Sequence, residues 1–196
     1  MKSRSLSILG LVFVVATTTG APSALRTGWS VEPGLLISTP RAAHQATLLD
    51  TDFVLLTGGC SGVSCTPVER SAELIDEDTG RATATGSMDV PRVAHAATRL
   101  TDGRVLVVGG WTGSATTATA EVFDPKTRRF SPTVEMSTAR MDATLTALAN
   151  GSALVVGGAA ATGRPLATAE LFELNRFSTV VAMSEPRAHH ASVRLA

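Results

Sequence analysis

Across its 196 residues the chain repeats one pattern three times, at a period near 50. Gly-Gly pairs fall at Gly58-Gly59, Gly109-Gly110 and Gly157-Gly158, spaced by 51 and 48 positions. Each pair ends an apolar run: Phe53 to Thr57, Val105 to Val108, and Ala153 to Val156. Ala-Glu pairs follow at Glu73, Glu121 and Glu170, and arginines precede the runs at Arg41, Arg92, Arg140 and Arg187. A repeat of this length points to one supersecondary unit stacked on copies of itself, so the fold must be read from the array.

The second copy shows what the unit is. His95 to Leu100 reads as extended, Thr101-Asp102-Gly103 breaks it, and Arg104 to Val108 resumes as a β-branched run. Asp-Gly between two such segments is a hairpin signal, because a tight turn needs a positive φ. Asn150-Gly151 holds the same place in the third copy, and Asp50-Thr51-Asp52 in the first. The run Val105 to Val108 does not alternate apolar with polar, so a strand there must be covered on both faces. A loop from Trp111 to Thr119 leads to a third strand, Ala120 to Phe123. The turn residues Asp124-Pro125-Lys126-Thr127 lead to a fourth, where Pro132 favours a sheet edge. Four-stranded antiparallel sheets buried on both faces and packed radially make a β-propeller. A helical solenoid is excluded by the absence of a sustained 3.6-residue period, and a sandwich does not explain repetition in turns and loops together.

These residues resemble kelch repeats of the bacterial, galactose-oxidase-like kind. The resemblance rests on Pro91-Arg92-x-x-His95, Leu100-x-Asp102-Gly103 through Gly109-Gly110, Ala120 to Pro125, and Phe130 to Met136, and spans about residues 29–196. It implies an all-β, partial propeller of kelch-type blades. The expected division is a signal peptide over 1–24, a linker and outer strand of a preceding blade over 25–37, and repeats over 38–88, 89–136 and 137–183. Residues 184–196 read as the first strand of a fourth repeat. Departures are Ala143, where other copies have His44, His95 and His190, and Leu171-Phe172-Glu173, which lacks the Asp-Pro turn. Propellers of this kind usually have more blades than three. The chain is therefore expected either to be a piece of a longer propeller or to complete its ring with further blades or a second copy.

Lys2 and Arg4 precede a short apolar core, Leu6 to Ala16, with small residues after it. That pattern reads as a secretory signal too short to span a bilayer, so a secreted or periplasmic location is expected, with no membrane span once the signal is removed. An uncleaved N-terminal anchor is the alternative. Seventeen basic and seventeen acidic side chains balance without a basic stripe, which argues against nucleic acid as a partner. Cys60 and Cys65, the only cysteines, sit in a Gly/Ser loop. In an exported protein they are expected to form a disulfide stabilising by roughly 2 kcal/mol, with free thiols or a metal site as the other readings.

The resemblance does not carry galactose oxidase chemistry across, because that copper-radical site needs tyrosine and this chain has none. His44, His95 and His190 either ring a channel as ligands or serve the scaffold; a residue repeated in every blade fits the second. Glu73, Glu121 and Glu170 are expected to pair with the recurring arginines within or between blades. The loops after the Gly-Gly pairs vary between copies and are where binding could reside, with Trp111 and Arg164 as their large side chains. Trp111 either stacks on a ligand or fills space between blades. No catalytic, cofactor or metal residues are assigned. The expected function is non-enzymatic binding of a protein or glycan partner through the loops. The alternative is a fragment or subunit of a secreted carbohydrate-active or oxidoreductase protein whose catalytic residues lie outside this chain.

Overall fold

A computed structural model describes residues 37–50, 52–62 and 64–195. The expected signal segment and residues 25–36 lie outside these. The described chain holds twelve strands in three four-stranded antiparallel sheets, with no helix among them. The first blade comprises β1 (Gln45–Leu48), β2 (Phe53–Thr57), β3 (Ala72–Asp76) and β4 (Ala82–Ala84). The second comprises β5 (Ala96–Arg99), β6 (Val105–Val108), β7 (Ala120–Asp124) and β8 (Arg129–Pro132). The third comprises β9 (Thr144–Ala147), β10 (Ala153–Val156), β11 (Ala169–Glu173) and β12 (Arg176–Val180). Strand order follows chain order in every sheet, so each is a simple meander. Pro132 ends the edge strand β8, where its missing N–H removes no ladder bond.

The unbroken apolar run of β6 has a direct explanation. Val105 and Val107 pack with Leu55, Leu74 and Phe123 between the first and second blades. Leu106 and Val108 pack with Ala153, Val155 and Phe172 between the second and third. Both faces of the strand are interior because each faces a different neighbour, and all four residues are at most 1% exposed. Burying a side chain of this size stabilises by about 1.5–3 kcal/mol, so β6 is the hydrophobic centre of the array.

The connecting turns place positive φ where the sequence suggests, but not in a two-residue hairpin. Gly103 (φ 89°) and Gly151 (φ 89°) each close a four-residue turn, with Gly103 N–H donating to the Leu100 carbonyl at 3.0 Å. In the first blade Asp52 takes the left-handed position itself (φ 56°). At the other end of the chain, residues 184–195 form no strand. A strand exists through its ladder partner, and no described segment pairs with this one.

The strand ends sort the connections. Turns β1–β2, β3–β4 and their equivalents lie at one end of the blades. Gly-Gly pairs, the variable loops and the segments leading into the next blade lie at the other, here termed the loop end.

Candidate functional site: blade junctions and the loop end

Each Gly-Gly pair is a junction between blades. Gly59 N–H donates to the Arg92 carbonyl at 2.9 Å, Gly110 N–H to that of Arg140 at 2.9 Å, and Gly158 N–H to that of Arg187 at 3.0 Å. The preceding glycines lie at φ 58°, 64° and 62°. A Cβ on Gly58, Gly109 or Gly157 would stand 2.3, 2.4 or 2.4 Å from the same carbonyl oxygens. Glycine is required because the next blade's backbone fills the space a side chain would need.

The arginine whose carbonyl enters the preceding blade turns its guanidinium into its own. Arg92 donates to the carbonyls of Gly109 (2.8 Å) and Thr119 (3.1 Å), to Thr119 Oγ1 (3.1 Å), and to Glu121 Oε1 (2.7 Å). Arg41 does the same with Gly58, Ser71 and Glu73, and Arg140 with Gly157, Thr168 and Glu170, each carboxylate contact being 2.7 Å. The three pairs therefore form within a repeat, and their side chains are at most 2% exposed. The free lone pairs of each carboxylate are used as well. Glu73 accepts from Ser38 N–H and Oγ (both 2.8 Å), Glu121 from Asp89 and Val90 N–H (2.8 and 3.2 Å), and Glu170 from Ser137 and Thr138 N–H (2.6 and 3.2 Å). Burial alone would raise the Glu73 carboxyl, yet the Ser38 hydrogen bonds and the Arg41 charge outweigh it and hold it below the usual range. Burial pushes the Arg92 guanidinium down, opposed by Glu121.

A second seam runs through Ala43, Ala94, Asp142 and His189, two residues after each arginine. All four are left-handed, at φ 51°, 55°, 54° and 54°. Ala94 N–H donates to the Ala43 carbonyl (3.4 Å), Asp142 N–H to Ala94 (2.9 Å), and His189 N–H to Asp142 (3.2 Å). Blade is thus tied to blade through residues that local preference disfavours.

The recurring histidines also cross blades. His95 Nε2 meets Thr57 Oγ1 of the preceding blade at 2.9 Å, and its ring lies against Gly58. His190 meets Thr144 Oγ1 at 3.2 Å and lies against Gly157. Ala143 leaves that contact at Gly109 to the methyl of Met136. His44 is half-buried, and no group of three or more potential metal ligands occurs among the described residues. Burial, with the charges of Arg92 and His44, pushes His95 down to about 3. Because its folded pKa lies below the unfolded value near 6.5, the unfolded chain takes up a proton that the folded chain refuses. The contribution of His95 is therefore complete above about pH 6.5 and is lost as pH falls toward about 3, at about 1.4 kcal/mol per unit. Urea unfolding of wild type and His95→Gln at pH 7, 6 and 5 is expected to show a flatter dependence in the variant. Equal slopes would mean that the imidazole is not held neutral.

At the loop end, Cys60, Trp111 and Ala159 occupy one equivalent position, bridging Ala42, Val93 and Met141 respectively. Cys60 and Ala159 are buried and Trp111 is half-buried. Cys60 is disulfide-bonded to Cys65. Loop Cys60–Arg70 is further tied by Ser61 Oγ donating to Glu69 at 2.9 Å, and Val68 touches the second loop at Gly113. Arg164 is exposed in the third loop. Two cavities among the described residues lie away from this end. One of about 470 Å³ runs along Thr98, Arg99, Leu145, Thr146 and Arg194 on the inner strands. The other, of about 380 Å³, lies among Asp50, Asp102, Arg104, Asp124 and Lys126 at the opposite turns.

Radially stacked four-stranded meanders, each braced by its own Arg–Glu pair and joined to the next at Gly-Gly, define a β-propeller built of blades. The family model for the kelch motif matches residues 92–137, from the second blade's arginine to the start of the next copy. The first and third blades repeat the junction chemistry of that matched segment. No curated protein matches the sequence. Among solved structures, the one titled "Structure of YjhT" aligns with a TM-score of 0.65 at 14% identity. The alignment covers 76% of this chain and 54% of that one, so the chain spans about half the length of that structure. At this identity the likeness establishes the fold.

The sequence-derived positions divide accordingly. Arginines, glutamates, glycines and histidines converge at the blade junctions, while Trp111 and Arg164 stand apart on separate loops. Two groups escaped the sequence reading: Thr57, which accepts or donates at His95, and the left-handed series ending in Asp142 and His189. The second carried a signal, since these residues hold one offset from the arginines.

Proposed function

We propose that this protein is an exported, non-enzymatic kelch module that binds a protein or glycan partner across its loop end. The carrying observation is the division of labour among its residues. Every recurring Arg–Glu pair is consumed in bracing its own blade, whereas the equivalent positions Cys60, Trp111 and Ala159 differ in each copy at the loop end. Loops on a rigid frame are where binding usually resides. Trp111 supplies a half-exposed aromatic surface and Arg164 a cation. Export is supported by the basic-then-apolar start of the sequence and agrees with a disulfide.

The test is a screen of the purified chain on a glycan array and against cell-envelope proteins. Trp111→Ala and Arg164→Ala are expected to weaken a captured partner at least tenfold while leaving the unfolding midpoint within a degree or two. Retained affinity in both variants would move the site off the loop end.

A further inference from the structure

The three loops that follow the Gly-Gly pairs share one base, and the first alone contains a disulfide. At that base Glu69 N–H donates to the Gly59 carbonyl at 2.8 Å, Thr117 N–H to Gly110 at 3.0 Å, and Leu166 N–H to Gly158 at 2.8 Å. The next rung pairs Cys60 with Val68, Trp111 with Thr116, and Ala159 with Pro165. Two loops then close over short tips, Thr112 N–H donating to the Ala115 carbonyl at 2.9 Å and Ala160 N–H to that of Arg164 at 3.0 Å. The first loop runs from Ser61 to Pro67 before its closing bond of 3.1 Å, and the Cys60–Cys65 disulfide draws in the extra length. The second and third blades keep the same base without a disulfide, so the bond is not what holds a blade together. It fixes a tip.

That tip is held in a conformation it would leave if the bond opened. Cys65 lies at φ 54°, a left-handed backbone that Cβ-bearing residues disfavour. It is half-buried among exposed Gly62, Ser64, Thr66 and Pro67, and its N–H makes a bond of 3.3 Å to the Gly62 carbonyl. Strained or exposed disulfides are the ones that exchange with thiols. Cys60 is the reverse: it is buried, and its Sγ lies 3.7 Å from the Ala42 carbonyl oxygen, so as a thiol it has an acceptor in place. The same loop reaches its neighbour. Val68 lies against Gly113, two residues past Trp111, where an added Cβ would stand 3.4 Å from Val68 Cγ2. What the disulfide fixes is therefore part of the surface beside Trp111.

We propose that the Cys60–Cys65 disulfide is a redox switch of the loop end: reduction by a dithiol frees the first loop's tip from the second loop and reshapes the surface at Trp111, leaving the blades folded. One thiolate of the dithiol attacks Cys65 Sγ, the bond between the two Sγ atoms breaks, and Cys60 leaves as a thiolate that takes up a proton. The dithiol's second thiol gives up its proton and displaces Cys65 from the mixed disulfide. The cysteine pair gains two electrons and two protons, and the dithiol is left as its own disulfide. The conformational change stands by itself; that it alters binding rests on the loop-end reading above.

The test compares the full chain, oxidised and after dithiothreitol without denaturant, by NMR and hydrogen exchange, with alkylation of a parallel sample to count free thiols. Both cysteines are expected to become reducible in the folded chain. The Ser61 and Cys65 amides should lose protection about tenfold, and the Gly113 amide and Trp111 indole resonances should move, while β2, β3 and β6 keep their protection. Cys60→Ala combined with Cys65→Ser gives the first loop the residue that the third has at this position, and should match the reduced chain and ignore the reagent. A disulfide that resists dithiothreitol until urea unfolds the chain would overturn the proposal. So would reduction that strips protection from β2 and β3, or that leaves the Gly113 and Trp111 resonances in place. A partner captured at the loop end should bind the two forms with affinities about tenfold apart. Equal affinities with the spectral changes intact would sink the loop-end reading and leave the switch standing.

Discussion

Replacing Glu121 by alanine is expected to destabilise the protein by about 3–5 kcal/mol, the usual result of removing one member of a buried ion pair. The number is large because Arg92 is fully buried and cannot follow its charge to water. The same change leaves the Asp89 and Val90 N–H groups without their acceptor. Against a typical total stability of about 5–15 kcal/mol, this single loss leaves a marginal fold. Urea unfolding followed by tryptophan fluorescence measures it. Combining Glu121→Leu with Arg92→Met removes the stranded charge, so the double variant should lose less than the sum of the singles. It should still fall short of wild type, because the Gly109 and Thr119 carbonyls lose their donor. A Glu121→Ala variant within about 1 kcal/mol of wild type would show that the pair does not hold the blade.

Gly109→Ala is expected to destabilise by about 2–5 kcal/mol through two separable effects. A left-handed φ of 64° costs alanine about 1–2 kcal/mol. The added Cβ also lies 2.4 Å from the Arg140 carbonyl oxygen, which is itself bonded to Gly110 N–H. Relieving that overlap moves the third blade against the second, and overpacking of this kind costs about 1–3 kcal/mol. Gly163→Ala is the control: φ there is 78°, and nothing lies within 4 Å of its would-be Cβ. It should lose only the backbone contribution. Equal midpoints for the two variants would remove the clash from the account.

Both predictions concern the same physical object, a joint in which one residue serves two blades. Arg92 gives its carbonyl to the first blade and its guanidinium to the second. That arrangement couples the blades, so damage at one junction should unfold the array rather than a single sheet.

Much of this architecture was legible in the residues. Strands appeared where β-branched runs end at Gly-Gly, because a two-faced apolar strand has few other solutions. Turns appeared where Asp, Asn and Gly recur. The disulfide was visible because two cysteines five residues apart in a flexible loop have each other as nearest partner. The direction of each contact was not. Nothing in the sequence distinguishes a histidine bonding within its blade from one reaching Thr57 of the blade before. Nor does it show that each glutamate also receives the backbone entering its own repeat.

A repeated sequence determines the repeated unit, because local turn chemistry and strand apolarity act over a few residues and are the same in each copy. What a residue does between units depends on atoms some 30–40 positions away, as with Thr57 and His95, separated by 38. Only the stacked structure could decide that Arg92 spans two blades and that Leu106 and Val107 face different neighbours.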